Sequence, residues 1–315
     1  MFVLGIDAGG TKTQCMIADE TGKILAESFS GPANHQVIGI EKTVESLQKA
    51  ISEALAQTGL ELSDIAYSVF GMAGADEEDD FQILVPAVEK LLGNKRFEVV
   101  NDGWIGFRSA NQGHAGVVSI CGTGAGHAGE NFQGERLALR NLDYITGNYG
   151  GGNDVAKKAV HYAFRSEEGT WDKSLLEKEI PAVFDKTNMS EVCAILKYNK
   201  MTYEQERKIP IIVFELARKG DIVCQKLLTD LGYEEGRYAA AVARRLHMEK
   251  DSFPAVLIGS LFKTGEPILL NAYLRGLHEA APGAYAVIPT EAPVKGAIGL
   301  ALDYLQMEEK RAAEK

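Results

Sequence analysis

The sequence predicts an α/β protein built from two similar halves, and three features of the chain support this prediction. A glycine-rich turn follows an apolar run twice, within residues 5–13 and within residues 119–126. Each turn leads into a second apolar run, as in a β-hairpin. Beyond each hairpin, strand-like runs alternate with segments whose apolar residues recur every three or four positions. The repeat lies about half the chain apart, which indicates two halves with a common βββαβα plan.

The first half is predicted to form a mixed sheet with an antiparallel meander on one edge and helices on its faces. The helix after the meander carries apolar residues at helical spacing from Ile40 to Leu55. In order, we predict strands at 2–7, 13–18 and 23–29, a helix from 40, a strand at 65–70, a helix at 81–92 and a strand at 97–100.

The second half is predicted to begin in the same way and then to diverge into a long helical insert. In order, we predict strands at 116–120, 125–130 and 136–139, the insert over 153–246, a strand at 255–258, a helix after Gly265, a strand at 285–288 and a helix from Val294. The junction at residues 111–114 is short and polar. We therefore predict two domains, 1–113 and 114–315, with the final helix packing back on the first and a ligand-binding cleft between them.

Composition limits the classes of partner. The chain has 315 residues, 45% of them hydrophobic and 24% charged, with a formal net charge of −11. This charge argues against nucleic acid or an anionic membrane as the main partner. A phosphate ligand must therefore be held locally, by backbone amides and a metal ion. The four cysteines lack zinc spacing, and neither a signal peptide nor a membrane span is visible, so we expect a cytoplasmic protein.

The two glycine-rich hairpins are the candidate phosphate sites. Glycine tolerates positive φ and lets backbone N–H groups approach a ligand without a Cβ in the way. Two facing hairpins of this kind would hold a polyphosphate by oriented amide dipoles. Ordinary turns are the alternative interpretation, although the duplication favours a ligand. Neither motif is a Walker loop or a dinucleotide fingerprint.

Two carboxylates stand at the ends of predicted strands, where an open α/β sheet places its ligands. Asp102 would accept a proton from an attacking hydroxyl in phosphoryl transfer. The equally weighted alternative is that it caps a helix. Asp7 would hold a Mg²⁺-bound water, or it is a turn residue.

Several other polar residues each allow a structural and a functional interpretation. Asn34 and His35 lie in a loop and would contact hydroxyl or amide groups, unless Asn34 only caps a helix. His114 and His127 are predicted to be solvated or satisfied, and the acidic run at 76–80 to be capping charge. Gly259 and the following residues would hold an adenine ring or form a plain turn, and both interpretations require Gly259 to be tightly packed.

Together these motifs resemble the sugar kinase, hsp70 and actin superfamily, and within it the N-acetylglucosamine kinase group of the BadF-type ATPase family. The resemblance covers nearly the whole chain. It implies two ribonuclease-H-like (actin-like ATPase) domains, MgATP between them, a sugar substrate and a homodimer. Residues 217–221 resemble the stretch that opens a helix near the nucleotide. The implied site residues are Gly9, Gly10, Thr11, Lys12, Gly122, Thr123, Gly124, Gly259 and Lys263 for ATP, Asn34, His35, Asp102, Ala125, Gly126, Asp143 and Asn148 for the sugar, and Asp7, through water, for Mg²⁺.

The chain departs from the kinase pattern in its sugar loops. The amino-sugar kinases carry Ser-Asn where this chain has Ala125-Gly126. Their Gly-Trp-Gly and Gly-Asp-Glu-Gly segments are replaced by residues 141–143 and 147–150. We therefore expect intact nucleotide binding and altered sugar recognition.

These features predict an ATP-dependent hexosamine-type kinase in which Asp102 activates a sugar hydroxyl, at C6, for attack on the γ-phosphorus. One alternative is an iron–sulfur activator of a dehydratase, which needs cysteines at a dimer axis. Cys193 and Cys224 instead lie in predicted helices. The other alternative is a sensor of sugar or nucleotide that has kept the fold without the activity.

Overall fold

The computed structural model describes residues 1–111, 115–140 and 144–313, and the chain forms two compact units. The first unit comprises Met1–Gly113 and Pro289–Lys315, and the second comprises His114–Ile288. The first unit is therefore built from both ends of the chain. The predicted junction at 111–114 falls mostly outside the described residues.

The first unit is a five-stranded sheet with helices on both faces. Its strands follow the order β3-β2-β1-β4-β5, with β1, β2 and β3 antiparallel and β1, β4 and β5 parallel. Its elements are β1 (Phe2–Ala8), β2 (Thr13–Asp19), β3 (Ile24–Ser30), α1 (His35–Ile38), α2 (Ile40–Thr58), β4 (Ile65–Met72), α3 (Glu78–Leu92), β5 (Phe97–Asn101), α4 (Asp102–Ala110) and, from the end of the chain, α11 (Pro293–Ala313).

Successive residues of β1 supply two separate cores because strand side chains alternate between the faces of a sheet. Leu4 joins a core with residues of α2 and α3, such as Leu47. Val3 joins a core with residues of α4 and α11, such as Ile298. At Gly5 a Cβ would lie 2.8 Å from the backbone nitrogen of Ile298. The last helix thus packs directly on the central strand of this sheet.

The second unit repeats the same sheet around a helical insert. Its strands follow the order β10-β9-β6-β7-β8, which matches the first sheet strand for strand when read from β8. Its elements are β6 (Gly116–Cys121), β7 (Ala125–Glu130), β8 (Arg136–Ala138), α5 (Gly151–Glu167), α6 (Leu176–Val183), α7 (Met189–Leu196), α8 (Tyr203–Arg218), α9 (Ile222–Arg245), β9 (Pro254–Ile258), α10 (Pro267–His278) and β10 (Tyr285–Val287). The predicted α/β class and the repeated halves are confirmed.

The observed boundaries differ from the predicted ones by a few residues, for identifiable reasons. Helix α3 begins at Glu78 rather than Phe81 because Glu77 and Asp80 form a reciprocal capping box. The acidic run therefore does cap this helix, as predicted. Helix α1 was missed because four residues are too few to show a period. Within the described residues, no helix combines the length and the apolar character needed to cross a membrane.

Candidate active site

The first glycine-rich turn joins β1 to β2 as a hairpin, as predicted. Ala8 pairs with Thr13, and the N–H of Gly9 donates to the carbonyl of Lys12 at 2.9 Å. A Cβ added at Gly10 would meet no atom within 4 Å, and Thr11 is exposed. The backbone at this tip is therefore open to close approach by a ligand.

The second glycine-rich turn joins β6 to β7 in the same way. Cys121 pairs with Ala125, and the N–H of Gly122 donates to the carbonyl of Gly124 at 2.9 Å. Thr123 and Gly124 are exposed. Positive φ occurs at none of the glycines of the two hairpin tips, Gly9, Gly10, Gly122 and Gly124. Glycine at these tips therefore does not serve to allow positive φ; it leaves space beside the backbone.

Positive φ is found instead at the glycines that support the second hairpin from behind. Gly151 opens α5 with φ of +77°, and a Cβ there would lie 2.6 Å from the Cα of Gly124. The N–H of Gly152 donates to the carbonyl of Gly122 at 2.7 Å. Gly259 has φ of +105°, and its Cβ would collide with the carbonyl of Cys121. Gly259 is therefore tightly packed, as predicted, and the hairpin is supported by two glycine segments, residues 151–152 and Gly259.

Asp102 is the first residue of α4, directly after β5. Asn101 is the N-cap, and its side chain accepts from the N–H of Gly103 at 2.8 Å. The alternative in which Asp102 caps the helix is therefore wrong. Burial, followed by the charges of Asp7 and Asp76, raises the pKa of Asp102 from 3.8 to about 6. A carboxylate with a pKa this close to neutrality suits a general base.

Asp76 was missed as a site residue by the sequence analysis, which treated it only as capping charge. Its Oδ1 accepts from the side-chain amide of Asn101 at 2.8 Å. Burial, followed by the charges of Asp80 and Glu77, raises its pKa. It lies shortly after β4, and the neighbouring strands β1 and β5 carry Asp7 and Asn101 at the same ends. The carboxyl ends of adjacent parallel strands meet at one edge of a sheet, and this rule would have found it.

Asn34 and His35 lie in the same unit, in and beside the short helix α1. Asn34 caps this helix, with Oδ1 accepting from the N–H of Gln36 at 3.0 Å. The ring of His35 is buried, and its Nε2 lies 3.1 Å from Oδ1 of Asp80. Its Nδ1 has no hydrogen-bond partner among the described residues. The capping role of Asn34 is thus observed, and contact of either residue with a sugar stays a prediction.

In the second unit, Asn148 is bound to the start of β7. Its Nδ2 donates to the carbonyl of Ala125 at 2.9 Å, and Gly126 is buried. The hydroxyl of Tyr238 on α9 donates to the carbonyl of Gly147 at 2.9 Å. These bonds fix the loop before α5 to strand β7 and helix α9. Asp143 and His114, two further residues of the sequence analysis, lie outside the described residues.

Residues near the expected nucleotide site have structural partners. Asp221 caps α9, with its carboxylate accepting from the N–H groups of Val223 and Cys224 and from the hydroxyl of Ser174. Lys263 lies exposed in a short turn after β9. These observations give neither residue a ligand contact, and their nucleotide roles stay predictions.

Asp7 suits the way proteins hold Mg²⁺ beside a nucleotide. Mg²⁺ keeps several waters and takes one or two carboxylates plus substrate phosphates. Asp7 is the next-to-last residue of β1, just before the first glycine-rich hairpin, and its charge helps to raise the pKa of Asp102. Among the described residues there is no cluster of three or more acidic, histidine or cysteine side chains that would hold a metal. A water-mediated site at Asp7 is compatible with both observations.

The duplicated sheet, with a glycine-rich hairpin in each copy, defines a protein of the actin-like ATPase class. The model of the BadF/BadG/BcrA/BcrD ATPase family matches residues 4–302. The chain belongs to this family, which confirms the family predicted from the sequence.

Two curated relatives are named as sugar kinases. An N-acetylmuramic acid/N-acetylglucosamine kinase from Clostridium acetobutylicum is 28% identical over 248 residues, covering 79% of this chain and 81% of that protein. An N-acetyl-D-glucosamine kinase from Dictyostelium discoideum is 25% identical over 312 residues, covering 95% of this chain and 97% of that protein. With the family, these relatives confirm the predicted enzyme class, an ATP-dependent kinase.

A solved structure confirms the fold at lower identity. The structure of a candidate N-acetylglucosamine kinase from Chromobacterium violaceum aligns with a TM-score of 0.71 at 23% identity, covering 96% of this chain and 98% of that one. A hexokinase of the ROK family from Thermus thermophilus aligns with a TM-score of 0.65 at 17% identity, covering 98% of this chain and 100% of that one.

Proposed function

We propose that this protein transfers the γ-phosphoryl group of ATP to a hydroxyl of an amino sugar, the primary hydroxyl at C6. The observation that carries the proposal is the environment of Asp102. Its carboxyl stands at the end of β5 with a pKa of about 6, raised by burial and by Asp7 and Asp76. A base of this kind, in a family of ATPases, suits the activation of an alcohol.

In the proposed reaction, Asp102 accepts the proton of the sugar hydroxyl as its oxygen attacks the γ-phosphorus. The bond between the γ-phosphorus and the β–γ bridging oxygen breaks, and ADP leaves. The backbone N–H groups and threonine hydroxyls of the two hairpin tips donate to phosphate oxygens and stabilise the developing charge. Asp7 would hold Mg²⁺ through water, and the ion would supply positive charge to the phosphate oxygens.

The amino sugar acceptor is inferred from the names of relatives together with the loop residues. Besides the two kinases above, a glucosamine kinase from Vibrio cholerae is 28% identical over 126 residues, or 39% of this chain. Asn34 and His35 would contact the acceptor from the first unit. In the second unit, Ala125, Gly126 and Asn148 would line the acceptor site, in place of the residues that typical members carry.

Several finer features belong to this proposal and rest on the family resemblance. They are the use of Mg²⁺, the homodimer, the cytoplasmic location, the two domains 1–113 and 114–315, and the nucleotide contacts of Gly9, Lys12, Gly259 and Lys263. The iron–sulfur alternative is not favoured, because Cys15, Cys121 and Cys224 are buried and only Cys193 is exposed. Nothing in the structure favours the sensor alternative over the kinase.

The test is ATP turnover by the wild-type chain against amino sugars, N-acetyl sugars and plain hexoses, with the same assay on Asp102→Asn. We expect turnover with an amino sugar, reduced by about 10²–10⁴-fold in the variant with nearly unchanged ATP affinity. Asp172→Asn, a matched change at an exposed residue, should behave as wild type. Nearly full activity in Asp102→Asn would remove this residue from the mechanism.

A further inference from the structure

Asp80, in the acidic run at the start of α3, uses its two carboxylate oxygens for different tasks. Oδ2 accepts from the backbone N–H groups of Glu77 at 2.9 Å and of Asp76 at 3.2 Å. These bonds cap α3 and hold the loop before it. Oδ1 faces α1 instead, where Nε2 of His35 lies at 3.1 Å and Nε2 of Gln36 at 3.0 Å. A helix cap needs only the first oxygen, so capping does not account for the contacts of the second.

The contact between Asp80 and His35 joins two side chains that are largely withdrawn from solvent, with exposed fractions of 13% and 6%. Burial opposes ionisation of Asp80, but the hydrogen bonds that it accepts from Gln36 and from the backbone of its own loop outweigh this and lower its pKa. The ionised carboxylate can only accept hydrogen bonds. Nε2 of His35 must therefore donate, which fixes the orientation of the ring and leaves Nδ1 unprotonated in the neutral ring.

The loop before α3 also contacts α1 directly. Nε2 of Gln36 donates a second hydrogen bond to the carbonyl of Gly74 at 3.2 Å. Gly74 has φ of +87°, and a Cβ there would lie 2.9 Å from Oδ1 of Asn34, the oxygen that caps α1. Residues 34–36 and 74–80 are therefore packed together as one hydrogen-bonded assembly.

Both segments of this assembly are attached to the end of β1, next to the first glycine-rich hairpin. The N–H of Ala33 donates to the carbonyl of Gly9 at 3.0 Å. The N–H of Ala73 donates to the carbonyl of Ala8 at 2.9 Å. The segments that Asp80 joins are thereby held to the hairpin that we expect to bind phosphate.

The same loop reaches the start of α4. Oδ1 of Asp76 accepts from Nδ2 of Asn101, and Oδ1 of Asn101 accepts from the N–H of Gly103, both at 2.8 Å. These bonds fix the backbone on both sides of Asp102. Since Asp80 holds the backbone of Asp76, it connects the start of α4 to α1.

Resting on the proposed kinase function, we propose that Asp80 is a positioning residue for the acceptor, which sets the place of α1, with Asn34 and His35, relative to Asp102. It acts through these residues and contacts neither the sugar nor the phosphate. A site whose polar groups are already held in place binds more tightly, because binding then orders fewer side chains. Loss of the bridge from Asp80 to α1 should therefore weaken acceptor binding and leave nucleotide affinity unchanged.

Two substitutions break this bridge and keep the helix cap. In Asp80→Asn the amide oxygen can stay on the two backbone N–H groups, which turns the amide nitrogen towards α1. Two donors then meet at Gln36, and His35 can accept only if its proton moves to Nδ1. Asp80→Glu keeps the charge and suits this position of a capping box, but its extra methylene displaces the carboxylate. Both variants should therefore fold with a Tm close to that of the wild type.

The experiment measures KM for ATP and for the acceptor that turns over fastest in the sugar panel. We expect the acceptor KM of Asp80→Asn to rise by about 10-fold, as for a lost hydrogen bond to a charged group, with the KM for ATP unchanged. Asp80→Glu should show the same split. Asp79→Asn is the matched control, because it removes a neighbouring exposed carboxylate, and it should keep the wild-type values. A wild-type acceptor KM in both Asp80 variants would overturn the inference and leave Asp80 as a helix cap.

NMR of the His35 ring keeps this inference separate from the proposed function. The ring ¹⁵N shifts report the tautomer, and His35→Gln assigns the signal among the six histidines. We expect the Nε2–H tautomer in the wild type and in Asp79→Asn, and the Nδ1–H tautomer in Asp80→Asn. An unchanged tautomer in Asp80→Asn overturns the inference even where sugars are phosphorylated.

Absence of turnover with every sugar would defeat the kinase proposal, and calorimetry with N-acetylglucosamine then replaces the acceptor KM. A changed tautomer together with weaker binding in Asp80→Asn than in Asp79→Asn supports the positioning role. Equal binding in these two variants overturns it.

Discussion

At the scale of single residues, Asp102 shows how a carboxylate becomes a base through its surroundings. Its position after an apolar strand was predictable from the sequence, because strand ends carry ligands in α/β sheets. Its raised pKa was not, because it depends on burial and on Asp7 and Asp76. These three residues are far apart in the chain and are brought together only by the pairing of β1, β4 and β5.

The pH dependence of turnover should report this environment. Below about pH 6 Asp102 is protonated and accepts no proton, so kcat/KM should fall about tenfold per pH unit on the acid side. Asp76→Asn removes one of the charges that raise the pKa and keeps an oxygen for Asn101. In the pH–rate profile of this variant, the fall of kcat/KM on the acid side should therefore occur at lower pH than in the wild type. Asp79→Asn, at an exposed residue that does not affect the pKa of Asp102, should keep the wild-type profile.

The same carboxyl should reduce stability at neutral pH. The folded protein retains this proton up to about pH 6, whereas the unfolded chain loses it near 3.8. Raising the pH through this window therefore removes stability. Asp102→Asn should have a higher Tm than the wild type at pH 8, by about 2–4 °C for each kcal/mol gained. The difference should disappear near pH 4. A variant that is no more stable at pH 8 would contradict the assigned pKa.

Asn34 should affect the acceptor and not the nucleotide. Its Oδ1 caps helix α1, and its Nδ2 is the group available to a sugar. Asn34→Ala should raise the sugar KM by about 10-fold or more, as expected for one lost hydrogen bond in a polar site, and leave ATP affinity largely unchanged. Asn34→Asp keeps the capping oxygen and replaces the donor. If Asn34→Asp has the same sugar KM as the wild type, Asn34 only caps the helix and does not contact the sugar.

At the scale of elements, most strands and helices were predictable, because their apolar residues alternate or recur at helical spacing. The hairpins were predictable from glycine between two apolar runs. What was not predictable is the support of the second hairpin by Gly151 and Gly259, since these contacts join segments far apart in the chain.

The two kinds of glycine should respond differently to substitution. At Gly10 and Gly122 a Cβ meets nothing closer than 4.0 Å, so Gly10→Val and Gly122→Val should fold and lose nucleotide affinity. Gly259→Ala places a Cβ at φ of +105° against a backbone carbonyl, and should lower the free energy of unfolding by about 1–3 kcal/mol. Calorimetry with ATP and denaturant unfolding measure the two effects. Unchanged ATP affinity in both valine variants would mean that the hairpins are ordinary turns.

At the scale of the whole molecule, the chain returns to its first unit after completing its second. Helix α11 forms one of the cores on the first sheet, with Val294, Ile298 and Ala301 packed beside Val3. The same helix approaches α4 so closely that a Cβ at Gly296 would collide with the carbonyl of Ile105. The first unit therefore requires residues separated by nearly the whole length of the chain.

The close packing of α11 on α4 predicts that Gly296→Val destabilises the protein, although Gly296 lies far from the candidate site in the sequence. The side chain has no space between α11 and α4, and overpacking of this kind costs about 1–3 kcal/mol. Gln306→Val is the matched control, because it places the same branched residue at an exposed position of α11. This control should lower the free energy of unfolding only through the weaker helix propensity of valine, by about 0.7 kcal/mol or less. Equal midpoints of denaturant unfolding in the two variants would show that the contact between α11 and α4 does not constrain the fold.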